Sequence, residues 1–169
     1  MEPEADLEYA GFWIRVWAFV IDSVLVMMVI GPLLWGAYGP TYWIGGDGPL
    51  FRGPLDVLLN VVFPAVAVVV FWVYRSATPG KMAIGARIVD ARTGGKPSTA
   101  QLIGRYLGYY VSAIPLGLGL IWVAFDVRKQ GWHDKLAGTV VVRAKRASGP
   151  EPVRFDTAKA AANDARPHA

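Results

Sequence analysis

Residues 12–35 read FWIRVWAFVIDSVLVMMVIGPLLW, apolar throughout except for Arg15, Asp22 and Ser23. As a helix the run would be about 36 Å long, enough to cross a hydrocarbon core of about 30 Å. It predicts a membrane-spanning helix. A cleaved secretory signal is the competing reading, but the preceding MEPEADLEYAG is acidic rather than basic, and the apolar run exceeds the ~7–15 residues usual for a signal core. Composition points the same way: 54% of the 169 residues are hydrophobic and 18% charged, against about 25% charged in a soluble domain, and the mean hydropathy is +0.35.

Working outward, residues 36–54 are rich in Gly and Pro and carry Tyr38, Tyr42, Trp43 and Phe51, turn chemistry mixed with aromatic residues that favour the headgroup region. They predict a loop on the bilayer surface. Residues 55–74, LDVLLNVVFPAVAVVVFWVY, supply a second span, with Asn60 and Pro64 as irregularities and Trp72, Tyr74 and Arg75 at its interfacial end. The TPGK that follows at 78–81 reads as a turn, and residues 84–91 as a short β-branched strand. Ser98-Thr99-Ala100-Gln101 fits a capping box, which predicts a helix start. In that helix Gly104, Gly108 and Ser112 form a small-residue stripe suited to close helix packing in a bilayer.

Residues 106–125 are apolar enough for a third span, but Pro115, Gly117 and Gly119 interrupt them. Charge decides between the options. Six Lys and Arg fall in residues 75–105 and nine in 127–169, out of 17, and a third crossing would put these two groups on opposite sides, against the positive-inside rule. A broken helical hairpin over residues 99–125 that enters and returns keeps all 15 cytoplasmic. A strand at Thr139–Ala144, TVVVRA, needs a partner for its backbone, and segment 84–91 can serve only from the same side. The expected fold is an all-α membrane protein with two transmembrane helices, a re-entrant hairpin and a short cytoplasmic β pairing; three full spans are the alternative. Residues 1–11 read as an N-terminal tail, 12–145 as the membrane domain and 146–169 as a disordered tail, with both termini cytoplasmic.

The chemistry is bounded mainly by exclusion. There are no cysteines and two histidines, His133 and His168, so disulfides, thiolate metal sites and a Cys nucleophile are out. The net charge of +4 does not point to nucleic acid, because the basic residues lie between and after the apolar runs. Gly117-Leu118-Gly119 and TPGK lack a nucleotide-binding pattern, and neither a nucleophile elbow nor an HExxH motif occurs. His133 beside Asp134 lacks the nucleophile of a catalytic site and the second His of a metal site. No enzyme activity, metal or cofactor is expected.

What stands out is Arg15 and Asp22, charges inside a span, which usually face protein or water and have a partner. Seven residues apart, they share a helix face about 10 Å from one another. That is too far for a tight pair, so each is expected to meet groups from elsewhere. Asp126, directly after the last apolar run, and Asp134 are the other candidate functional charges.

FWIRVWAFVID in the first span, TPGKMAIGARIVDARTGGKPS after the second, Arg105 in the next helix and FDVRKQGWHDKLAGTVVV at the end together resemble the RDD family of bacterial membrane proteins, named for one Arg and two Asp. The resemblance covers about residues 10–144. It maps the family's Arg to Arg15, its first Asp to Asp22 and its second to Asp134, with Asp126 at a commonly acidic position before it. It implies a multi-pass protein of the bacterial inner membrane. Some members are associated with transport, including sodium/proton exchange; others act as accessory parts of larger membrane proteins. Two functions are therefore expected. In one, Asp22 takes up a proton or monovalent cation, Arg15 holds its ionised form and the chain works as a homo-oligomer. In the other, the chain is a non-catalytic accessory subunit of a larger membrane complex.

Overall fold

The structure, a computed structural model, describes residues 7–44 and 49–145. It is mostly helical, with two helices long and apolar enough to span a membrane and one small sheet. The first span is α1 (Phe12–Tyr38), which contains Pro32 and ends at Gly39. Most of its large apolar side chains are exposed, as expected of a helix whose solvent is lipid. Trp17 and Trp35 are both exposed and stand about 27 Å apart along the axis, near the thickness of the hydrocarbon core.

A short helix α2 (Thr41–Ile44) follows, then the second span α3 (Pro54–Arg75). Its Leu58–Val62 turn is a π-helix. Pro64 explains this, since its ring and missing N–H spoil the regular bond to Asn60. At this end of the spans the buried Asp56 accepts hydrogen bonds from Tyr42 Oη at 2.7 Å, the Arg52 N–H at 2.8 Å and Asn60 Nδ2 at 2.5 Å.

At the other end, α3 leads into the five-residue helix α4 (Pro79–Ala83) and then β2 (Ala86–Asp90). A turn held by Asp90 follows, its carboxylate accepting the Arg92 and Thr93 N–H groups and Gln101 Nε2. Helix α5 (Thr99–Ala113) starts with the expected capping box, Ser98 Oγ accepting from Gln101 and Gln101 Oε1 from Ser98. It bends by 115° into α6 (Leu118–Ala124), through a corner where Leu116 and Gly117 both adopt positive φ. Helix α7 (Trp132–Ala137) and β3 (Thr139–Ala144) complete the described chain.

β2 and β3 pair antiparallel, Ile88 opposite Val141, as expected. The sheet has a third strand, however. β1 (Leu7–Tyr9) adds to the other edge of β3, giving the order β1-β3-β2, so residues 7–9 of the expected tail are an edge strand. Three residues without clear alternation carry no strand signal of their own; β1 exists because the unpaired edge of β3 needs a neighbour. The cross-strand partners Glu8 and Arg143 form an ion pair. One face of the sheet, with Ala86, Ile88 and Val141, packs on Trp72 and Leu102, and Leu7, Val89, Val140 and Val142 cluster on the other. The sheet thus sits where α1 begins, α3 ends and α5 begins. The expected disordered tail, 146–169, lies outside the described residues.

Candidate functional site

Asp134 is the third residue of α7 and is fully buried. Its carboxylate reaches back to the N–H of Gly131 at 3.0 Å, the geometry of a helix-capping acid. The same carboxylate takes two guanidinium groups. Arg15 Nη1 donates to Oδ2 at 2.6 Å, and Arg105 Nη1 donates to Oδ1. Arg15 also donates to the carbonyls of Ala10 and Lys129, and Arg105 to Thr139 Oγ1. The Arg105 guanidinium stacks over the rings of Trp72 and Tyr109. One carboxylate therefore ties α1, α5, α7 and, through Thr139, the sheet.

Arg15 and Asp22 do meet different groups, but the expectation that Arg15 holds ionised Asp22 is corrected: Arg15 is committed to Asp134. Asp22, half-buried rather than deeply buried, accepts from Thr78 Oγ1 at 2.5 Å and from the N–H of Gly80 at 2.7 Å. It caps the first turn of α4 from a neighbouring helix. TPGK is thus more than a turn. Thr78 supplies a hydroxyl, Pro79 starts the helix, and Gly80 lets the backbone close on α1, since a Cβ there would stand 2.1 Å from the Ala18 carbonyl oxygen and 2.8 Å from Asp22 Cγ. Lys81 then presents an ammonium whose hydrogen bond goes to Thr78 Oγ1 at a long 3.5 Å and which lies over the Trp72 ring. Burial, only partly offset by Tyr109 and Asp22, pushes Lys81 below the usual lysine range.

These groups border a cavity of about 500 Å³, well inside the ~300–1,000 Å³ of small-molecule sites. Its charged lining is Arg15, Asp22 and Lys81; Tyr109 and His133 also face it, and the remaining walls are largely apolar. His133 stacks on Tyr109 with ring centroids 4.0 Å apart. Burial, then the positive charges of Arg105, Arg15 and Lys81, hold its pKa far below the ordinary imidazole value, so it is neutral.

The small-residue stripe divides. Gly108 is a close approach, where a Cβ would stand 2.9 Å from His133 Cα, and Ser112 Oγ accepts the His133 N–H at 3.0 Å; a Cβ on Gly104 would meet nothing within 4 Å. The neighbour at the crossing is α7 of the same chain. Asp126 stands apart from the Asp134 cluster: it pairs with Lys135 and accepts the N–H groups of Arg128 and Gln130, shaping the turn before α7. Burial opposes its ionisation, but these bonds outweigh burial and hold the carboxyl below its ordinary value.

Sequence reading missed Thr78, Gly80, Lys81 and Tyr109 as site residues and met Arg105 only through the resemblance. A signal existed for two of them, because Arg105 and Tyr109 are four residues apart on one face of α5. Pro-Gly-Lys could be placed only once α4 was seen against α1. Among the described residues no group of three or more His, Asp and Glu is placed to hold a metal ion.

Comparison with known proteins finds a family match and bacterial relatives. The family model described as the RDD family matches residues 9–138. The uncharacterized membrane protein YteJ of Bacillus subtilis (strain 168) is 31% identical, over 81% of this chain and 82% of its own. The uncharacterized protein YckC of the same organism is 33% identical over 87% and 91%. An uncharacterized protein of Rickettsia prowazekii (strain Madrid E) is 36% identical over a shorter region, 52% of this chain and 53% of that one. No solved structure matches significantly. With two helices long and apolar enough to span a membrane and a family match over most of its length, the chain belongs to the RDD family of membrane proteins.

Proposed function

We propose that this is a transport-related protein of the bacterial inner membrane, in which the cavity beside α1 is the chamber for a small anionic solute. The observation that carries this reading is the charge on the cavity wall: Lys81 and the Arg15 side of a cluster in which two guanidiniums share the single carboxylate of Asp134 are positive, against the one carboxylate of Asp22, in a largely apolar chamber. That balance favours an anion over sodium or another bare monovalent cation. Asp22 then fixes α4, and with it Lys81, against α1 through Thr78 and Gly80. Arg15 and Asp134 position the chamber. The chain acts by binding and passage, without cofactor or covalent chemistry.

In the same reading α5 and α6 enter and leave on one side as a re-entrant hairpin. The 115° bend supports it, as does the pairing of β2 with β3, which flank the hairpin in sequence. The basic residues in 75–105 and 127–169 then put the sheet and both termini in the cytoplasm.

Ser23 is exposed and borders the cavity, and the chain has no cysteine, so Ser23→Cys is a clean reporter. In proteoliposomes a sulfonate-bearing thiosulfonate reagent should modify it faster than the trimethylammonium analogue, and Lys81→Gln should erase the preference. Faster reaction with the cationic reagent overturns the anionic assignment. No reaction with either, in a protein that remains folded, overturns the transport reading in favour of an accessory subunit docked in a larger complex.

A further inference from the structure

The cavity is long as well as charged. Its wall follows α1 from Phe12 to Val26, about 21 Å along the axis, and its charges are confined to one part. Arg15, Lys81 and His133 lie toward the sheet, and Asp22 is the deepest charged group on α1. Beyond it the lining is Ser23, Val26, Pro64 and Val68. Phe19 and Tyr110 border the cavity and are exposed, so the chamber reaches the outer surface of the helices.

The polar part holds a donor that the protein satisfies only in part. Lys81 carries three N–H bonds and makes one long hydrogen bond. Asp22, the carboxylate on the cavity wall, takes Thr78 and Gly80, and Asp134 takes Arg15, Arg105 and Gly131. An ammonium with donors to spare at one end and an apolar stretch at the other describe a complement that is itself amphiphilic.

We propose that the cavity binds a single-chain anionic amphiphile, its carboxylate or phosphate monoester against Lys81 and its hydrocarbon tail between α1 and α3 along Val26 and Val68. This rests on the reading of the cavity as a ligand chamber and names the class of ligand. Two sources share the chemistry, a free fatty acid and an alkyl or lysophospholipid phosphate.

The test is equilibrium binding to the full chain in phosphatidylcholine nanodiscs, with empty nanodiscs subtracted, using radiolabelled palmitate and hexadecyl phosphate as probes and hexadecanol as the uncharged control. Saturable binding near one probe per chain is expected for one or both anions, and their ratio identifies the headgroup. Lys81→Gln should weaken binding at least tenfold and Lys81→Arg by no more than about threefold; Val68→Phe should block the tail without touching the charge. The thermal midpoint of each variant shows whether it is folded, and Val68→Phe tests the proposal if Lys81→Gln is not. Binding equal to that of empty nanodiscs, equal binding of hexadecanol, or indifference to both Lys81→Gln and Val68→Phe overturns the proposal. Equal competition by butyrate or inorganic phosphate also overturns it, by showing that the tail is not recognised. In that case the anionic chamber stands, because the charge preference at Ser23→Cys is measured separately.

Discussion

Arg15 Nη1 meets Asp134 Oδ2 at 2.6 Å across 119 positions of sequence, and Arg105 shares the same carboxylate from α5. The cluster of one buried anion and two guanidiniums keeps a net positive charge. Such a group is held by geometry and hydrogen bonding more than by charge balance.

Removing the shared anion should therefore be severe. Asp134→Asn leaves two guanidiniums facing each other in a dry site and should cost roughly 3–5 kcal/mol, read as a large loss of folded yield and a lower thermal midpoint. A double-mutant cycle of Arg15→Ala and Asp134→Asn should be strongly non-additive. Additive effects would show that the pair does not join α1 to α7.

Two glycines four residues apart on α5 should respond with opposite signs. Gly104→Ala has open space and should stabilise by about 0.5–1 kcal/mol through helix propensity. Gly108→Ala meets the His133 backbone and should destabilise by about 1–3 kcal/mol through overpacking. Thermal melts in one detergent check both, and a neutral Gly108→Ala would mean that α7 gives way.

His133 should set a pH limit. It faces Arg15, Arg105, Lys81, Tyr109 and Asp134 and stays neutral in the folded chain, whereas in the unfolded chain it protonates near its ordinary value of 6.5. A depressed folded pKa means that stability is complete above about pH 6.5 and falls as the pH drops below it. The thermal midpoint should decline from pH 6.5 to 5, and His133→Phe should flatten that slope even if it lowers the midpoint overall. An unchanged slope removes His133 as the cause.

Sidedness follows from the sheet. Cysteines placed singly at the exposed Lys96 and Lys145 should react with an impermeant maleimide from the same side of oriented vesicles, and one at the exposed Ile44 from the other. Labelling of Lys96→Cys and Lys145→Cys from opposite sides would exclude the re-entrant hairpin.

The parts legible in sequence are those written in contiguous residues. Two long, mostly apolar runs, the Ser98–Gln101 cap and the β-branched segments 84–91 and 139–144 each carry their own local physics, and each forms the element expected. Neither Arg15 nor Asp134 names its partner, because the contact depends on how α7 is laid against α1 after the bend at Leu116 and Gly117. β1 was invisible for a similar reason, since its three residues become a strand only beside β3. Asp22 was legible as an anomaly, but its role as the acceptor for Gly80 depends on α4 folding back onto α1 within the space a missing Cβ leaves.

The span of sequence between Arg15 and Asp134 also sets a clock. At the ribosome's pace of about 5–20 residues per second, roughly 6–24 s pass between synthesis of the arginine and arrival of its acid. During that interval the first span carries an uncompensated guanidinium, and Arg105 joins it before the aspartate emerges. A nascent chain halted before α7 would present two unpaired cations at the membrane, so the fold is complete in charge only when that helix has been made.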